Sequence, residues 1–217
     1  MEPTNGAAYG GDLLHLFGDN FGNGSALTEV HVGTHGLCTD LVLIDCKETD
    51  GLDDCKHLTC RTPPGATRDN AITLQVGQNV ARQTQNFTFH YRLPYVQCVD
   101  SSSTTTGGGE RIKLMGRDFG RPELEPTVFM GGKECVDVQY ISENVLTCIA
   151  PPLSSGVDAA TGEATAGGAK YDVAVTVLDG TTGVHHDPHF VFSGIGNGLM
   201  SYRRPVVERV RGKTSGP

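Results

Sequence analysis

Apolar and polar residues alternate with period two along much of this chain. Ile72, Leu74 and Val76 alternate with Thr73 and Gln75; Phe87, Phe89 and Tyr91 alternate with Thr88 and His90; Tyr171, Val173, Val175 and Val177 alternate with Asp172, Ala174 and Thr176. Successive side chains of a strand point to opposite faces, so the pattern predicts strands with one buried face. Antiparallel sheets packed face to face show such one-sided burial, and the spacing of strands and turns suits a β-sandwich. No stretch reads as a long amphipathic helix. The fold class expected is all-β.

The pattern is written twice. Leu14-His15-Leu16-Phe17-Gly18-Asp19-Asn20-Phe21-Gly22 returns 98 residues later as Ile112-Lys113-Leu114-Met115-Gly116-Arg117-Asp118-Phe119-Gly120. Cys38 is answered by Cys135, and Cys60 with Pro63-Pro64 by Cys148 with Pro151-Pro152. A period near 100 fits one small domain per repeat, whereas solenoid units run about 20 to 50 residues. The Gly-x-x-Phe-Gly motif predicts a tight turn, with Gly22 and Gly120 free to take positive φ while the phenylalanine enters the core. Each repeat also carries an insertion expected to be a surface loop, at 45–56 in the first and 153–169 in the second. The run from Ser101 to Gly109 has linker composition. Yet Gly108-Gly109 follows Gly10-Gly11 at the same offset, which places the run inside the second repeat, after a first strand at Tyr95–Val99.

Composition narrows the class. With no Trp and 6% aromatics the two cores must be modest, and 29 Gly with 11 Pro imply many turns between short strands. A formal charge of −8, from 17 Lys and Arg against 25 Asp and Glu, gives no basic footprint for nucleic acid or anionic lipid, so no nucleic-acid partner is expected. No apolar run approaches the roughly 18 residues of a membrane span, and the N-terminus lacks a signal-peptide pattern.

Seven cysteines bear on redox state. Cys38, Cys46, Cys55 and Cys60 allow three pairings among themselves. The repeat selects one: if Cys135 bonds Cys148, the equivalent bond is Cys38 to Cys60, and Cys46 is left for Cys55 inside the insertion. Zinc fits poorly, because no Cys-x2-Cys pair is present. Cys98 has no partner in this scheme and is free or bonded outside the chain. Two acceptor motifs for N-linked sugar, Asn23-Gly24-Ser25 and Asn86-Phe87-Thr88, join the paired cysteines in favouring an extracellular or cell-surface setting in the secretory pathway.

Catalytic and metal chemistry find little support. His185-His186-Asp187-Pro188-His189 is the densest histidine cluster, but Pro188 breaks a regular strand and a polar turn before a strand at 190–192 accounts for it. Asp53-Asp54 falls within the insertion, where a solvated loop is the plainer reading. Asp19 and Asn20 are conceivable calcium ligands, though such residues ordinarily favour turns. No Gly-x-Ser-x-Gly, phosphate-loop or His-Glu-x-x-His pattern occurs. The expectation is a chain without catalytic residues, cofactor or metal.

A strand, a loop ending Gly-Gly, a second strand, Gly-x-x-Phe-Gly, a cysteine, then Cys-x-x-Pro-Pro and two alternating strands closing on an aromatic: this order resembles the IPT/TIG domain. The resemblance implies tandem immunoglobulin-like β-sandwiches of the E-set type, as found in plexins, the hepatocyte growth factor receptor and fibrocystin-like surface proteins. The Cys46 and Cys55 insertion and Cys98 depart from the family pattern. Laid on that pattern, residues 1–11 read as the tail of an opening loop whose first strand lies upstream, and 204–217 as the start of a third module. The expected domains are 1–93, 94–202 and a truncated 203–217, within a longer parent.

The function expected is a non-enzymatic extracellular structural and protein-interaction module of a multi-IPT surface protein, serving adhesion, a receptor ectodomain or a surface filament. Its partners would be other proteins, including neighbouring IPT-like modules and copies of itself, with membrane reached only through other parts of the parent. The alternative is a pair of accessory β-sandwich domains in a larger carbohydrate-acting enzyme. An intracellular role like that of Rel-type transcription factors is opposed by the acidic charge, the glycosylation motifs and the cysteine pairs.

Overall fold

The computed structural model describes residues 1–21, 28–49, 52–66, 68–81, 87–152, 170–177, 196–203, 206 and 208–209. The first half forms β1 (Asn5–Gly6), β2 (Leu13–Phe17), β3 (Thr28–Val32), β4 (Gly36–Leu37), β5 (Thr39–Thr49), β6 (Leu52–Arg61), β7 (Asn70–Val76), β8 (Asn79–Val80) and β9 (Thr88–Tyr91). The second half forms β10 (Tyr95–Val99), β11 (Ser103–Thr104), β12 (Arg111–Arg117), β13 (Thr127–Met130), β14 (Lys133–Glu134), β15 (Val136–Ser142), β16 (Val145–Ile149), β17 (Lys170–Thr176) and β18 (Gly196–Tyr202). One 3-10 turn at Pro122–Leu124 is the sole helical element among the described residues.

The sheets repeat as the sequence does. In the first half β2, β6 and β5 form one sheet in that order, and β1-β9-β7-β3-β4 the other, with β8 paired to β7. The second half has β12-β16-β15 with β10 added at the edge, facing β11-β18-β17-β13-β14. Each half is therefore a two-sheet sandwich, and β10 has no counterpart among the described strands of the first.

The alternation read from sequence sets the burial. In β7, Ile72 and Leu74 are buried while Ala71 and Thr73 are exposed, and in β17 Val173 and Val175 are buried. The two cores share no residue. One gathers Leu14, Leu16, Val30, Leu58, Phe89 and Tyr91, and the other Ile112, Leu114, Val128, Leu146, Met200 and Tyr202 at matching places. Phe21 and Phe119 both enter these cores, as the turn motif implied. Gly120 has φ 74°, but the turn also holds Asn20 at φ 61° and Asp118 at φ 58°, left-handed positions that Asn and Asp tolerate better than most side chains. Gly22 lies outside the described residues.

Two motifs prove to be one contact. Gly10 and Gly108 have φ 79° and 67°, and a Cβ added to either would sit 2.5 and 2.6 Å from backbone of the Pro-Pro turn. Only glycine lets the loop lie this close. The closing tyrosines tie the bracket from the other sheet: Tyr91 Oη donates to Pro63 O and Tyr202 Oη to Pro151 O, each at 2.8 Å.

The insertion at 45–56 differs from expectation. It extends β5 and β6 into a long hairpin, with Glu48 paired to Asp53 and Lys47 to Asp54, so Asp53-Asp54 lies in a strand and not in a loop. An insertion between matched landmarks is expected to be a loop, and this charged stretch has no apolar alternation to mark it as strands. Strand pairing supplies the order there, fastened by a disulfide between Cys46 and Cys55. The insertion at 153–169 and the strand expected at 190–192 lie outside the described residues.

Candidate functional site

The place where the two sandwiches meet is the best-defined site. Tyr91 ends β9 and Tyr95 begins β10, leaving only Arg92, Leu93 and Pro94 between them. Proline fixes its own φ and pushes the preceding residue toward extended backbone, which stiffens so short a connection. Arg92 N donates to Gly6 O at 2.7 Å, holding the residue to its own sandwich. Its guanidinium crosses to the other: Nε lies 3.3 and 3.2 Å from the two Asp118 carboxylate oxygens and Nη2 3.1 Å from Oδ1. This two-pronged pairing is the geometry a planar guanidinium makes with a carboxylate.

Asp118 is 6% exposed and Arg92 about half exposed, so the pair is wet on one side and dry on the other. The hydrogen bond that Arg92 donates to Asp118 is the main cause of an upward shift in the Arg92 pKa, which secures its charge. A second tie lies alongside, where Arg121 Nε donates to Tyr9 O at 2.9 Å and its guanidinium stands 4.4 Å over the Tyr9 ring. Between the sandwiches opens a cleft of about 600 Å³, lined by Asn5, Arg68, Asp69, His90, Arg117 and Asp118 among others. Glycine is needed at position 116, just before the lining residues Arg117 and Asp118, because a Cβ there would lie 1.9 Å from Tyr95 O of the neighbouring strand.

The cysteines fall into the expected neighbourhoods in two chemical states. Cys46 and Cys55 are bonded. Cys38, Cys60, Cys135 and Cys148 stand as thiols where bonds were expected, with Cys60 in side-chain hydrogen-bond contact with Cys38 and Cys148 with Cys135. Those contacts, and then burial, push the Cys60 and Cys148 thiols up. In both halves the first cysteine donates its amide to the equivalent valine, Cys38 to Val30 O and Cys135 to Val128 O, while its partner lies on the opposite sheet. Each contact thus spans the sandwich. Cys98 is a half-buried thiol on the edge strand β10, at a break in register opposite Met115.

The remaining candidates are dispersed. Asp19 pairs with Lys56. Among the described residues no three His, Cys, Asp or Glu side chains are grouped to hold a metal ion. His185, His186, Asp187 and His189, like Asn23 and Asn86, lie outside the described residues. Sequence reading missed one cluster, on the outward face of β2 and β6. There His15 Nδ1 lies 3.0 Å from His57 Nε2, Phe17 stacks on His57 with centroids 4.5 Å apart, and Leu13, Phe17 and Val42 are exposed. The signal was present, since His15 and Phe17 alternate with the core residues Leu14 and Leu16.

Two immunoglobulin-like sandwiches in series, joined almost without a linker, define a tandem β-sandwich protein. The chain belongs to the IPT/TIG domain family, which matches residues 1–91 and again 94–188. This is a non-catalytic, immunoglobulin-like family. No curated protein sequence matches the chain. Among solved structures, an auxiliary nutrient binding protein from Bacteroides ovatus is similar at 20% identity and TM-score 0.34, over 52% of this chain and 21% of its own. The full extracellular region of plexin A4 is similar at 18% identity and TM-score 0.33, over 93% of this chain and 15% of its own. The chain therefore spans well under two thirds of either.

Proposed function

We propose that this chain is a stiff, non-enzymatic spacer and protein-contact segment of an extracellular multi-IPT protein, with modules at 1–93 and 94–202 and the start of another at 203–217. The carrying observation is the junction: a three-residue connection locked by Arg92 on Asp118. A flexible tether would need neither the proline nor a buried carboxylate aimed at the preceding module. A spacer needs both, because a fixed angle sets the spacing and direction of whatever surfaces it presents.

The exposed apolar residues Leu13, Phe17 and Val42 on one module and Val136 and Ile141 on the other supply surfaces for contact with other proteins or with copies of the same chain. In this reading Cys38 bonds Cys60 and Cys135 bonds Cys148, each bond stapling two sheets around a core without Trp. Asn23 and Asn86, each in an acceptor motif, carry N-linked sugar in a secreted chain. Small-angle scattering tests the spacer role. A single narrow distribution of dimensions is expected for the wild type and a broadened one for Arg92→Ala. Equal breadth in both would count against the reading.

A further inference from the structure

The end of the second sandwich repeats the end of the first. Tyr91-Arg92-Leu93-Pro94 recurs as Tyr202-Arg203-Arg204-Pro205. The tyrosines make the same bond to the Pro-Pro turn, and the arginines are anchored alike, with Arg92 N on Gly6 O at 2.7 Å and Arg203 N on Thr104 O at 2.8 Å. Gly6 and Thr104 are themselves 98 residues apart, so the two arginines leave equivalent points of equivalent modules.

Only their guanidiniums differ. Arg92 reaches forward to Asp118, although Asp12 on its own module is close enough to act on its charge. Arg203 folds back onto Glu110, the residue 98 positions after Asp12. Glu110 is half-exposed and Arg203 more so, so this backward pair is weak and easily exchanged. Arg203 thus rests on the carboxylate that its counterpart passes over when a module follows.

We propose that Arg203 is the donor half of a second junction, whose acceptor is a following β-sandwich module carrying aspartate at the second position after the first glycine of a Gly-x-x-Phe-Gly turn, as Asp118 does immediately before its own module's Phe119. This rests on the reading of the chain as part of a stiff module array. It also assigns an order: the first module has Asn20 at the Asp118 position and cannot offer a carboxylate to an upstream arginine. Modules of the Asp118 kind are competent followers of an Arg203 end, and modules of the Asn20 kind are not.

The test is a three-module chain, residues 1–205 followed directly by a second copy of 95–202, which presents a copy of Asp118 to Arg203. Amide 15N relaxation reads whether each module tumbles with its neighbour, and the spectrum of each module reports that it is folded. The third module is expected to tumble with the second, and to be released when its copy of Asp118 is changed to Asn or by Arg203→Ala. As Arg203 moves forward, Glu110 loses the hydrogen bond that holds its carboxyl below the usual range, so its titration is expected to rise in the three-module chain. A third module that tumbles independently beside a locked first junction, with Glu110 unshifted, overturns the inference alone. If the first junction is also loose and indifferent to Arg92→Ala, the underlying spacer reading falls with it.

Discussion

At the scale of single residues, two positions show how equivalent places come to have unequal consequences. Gly18 and Gly116 are repeats of one another. A Cβ at Gly18 would meet the Phe21 ring at 2.9 Å, which a side chain can relieve, whereas at Gly116 it would strike the backbone of β10. Gly116→Ala is therefore expected to cost about 2 kcal/mol and Gly18→Ala clearly less, by urea unfolding of each variant. Burial pushes the Tyr202 hydroxyl up to about 12 from an ordinary value near 10. Because the folded state holds this proton more tightly, the stability contributed is full below about pH 10 and lost as pH climbs toward 12. Tyr202→Phe is expected to lose the bond to Pro151, about 1 kcal/mol at neutral pH, and to flatten the alkaline decline in denaturation midpoint. An equally steep decline in the variant would place the titrating group elsewhere.

At the scale of elements, strands with an alternating apolar face were legible because period two follows directly from backbone geometry, as β7, β9 and β17 show. The hairpin of β5 and β6 was not, because the run Lys47, Glu48, Asp53 and Asp54 carries no apolar alternation in sequence and its order comes from cross-strand pairing. β18 was hidden for another reason: Gly196, Asn197 and Gly198 lack strand character, and only Met200 and Tyr202 mark it as the counterpart of β9 in the first sandwich. The cysteine neighbourhoods were legible from the repeat, and their oxidation is chemistry to be measured. Peptide mapping without reductant is expected to recover Cys38 with Cys60 and Cys135 with Cys148; free thiols at all four in secreted protein would remove the staples from the account. The Cys46 and Cys55 bond fastens a hairpin that lies largely outside the first core. Replacing both by Ser is expected to speed amide exchange in the hairpin while lowering the module's stability less than Leu58→Ala, which empties a core site at about 2 to 5 kcal/mol.

At the scale of the whole molecule, the sequence announced two modules but not how they are held. Arg92 and Asp118 are 26 residues apart and belong to different repeats, so no periodicity links them; only the fold brings the end of β9 beside the turn after β12. Asp118→Asn keeps the shape of the side chain and removes its charge. Discounted for the solvent that reaches Arg92, it is expected to cost only about 1 kcal/mol of stability while loosening the joint, so the effect is far larger on geometry than on unfolding. The measurement that bears most directly on the account is a set of residual dipolar couplings from both modules in one aligned sample. A single alignment tensor fitting all couplings in the wild type, and two tensors of unequal magnitude in Asp118→Asn, is the predicted result. Two unequal tensors already in the wild type would contradict it.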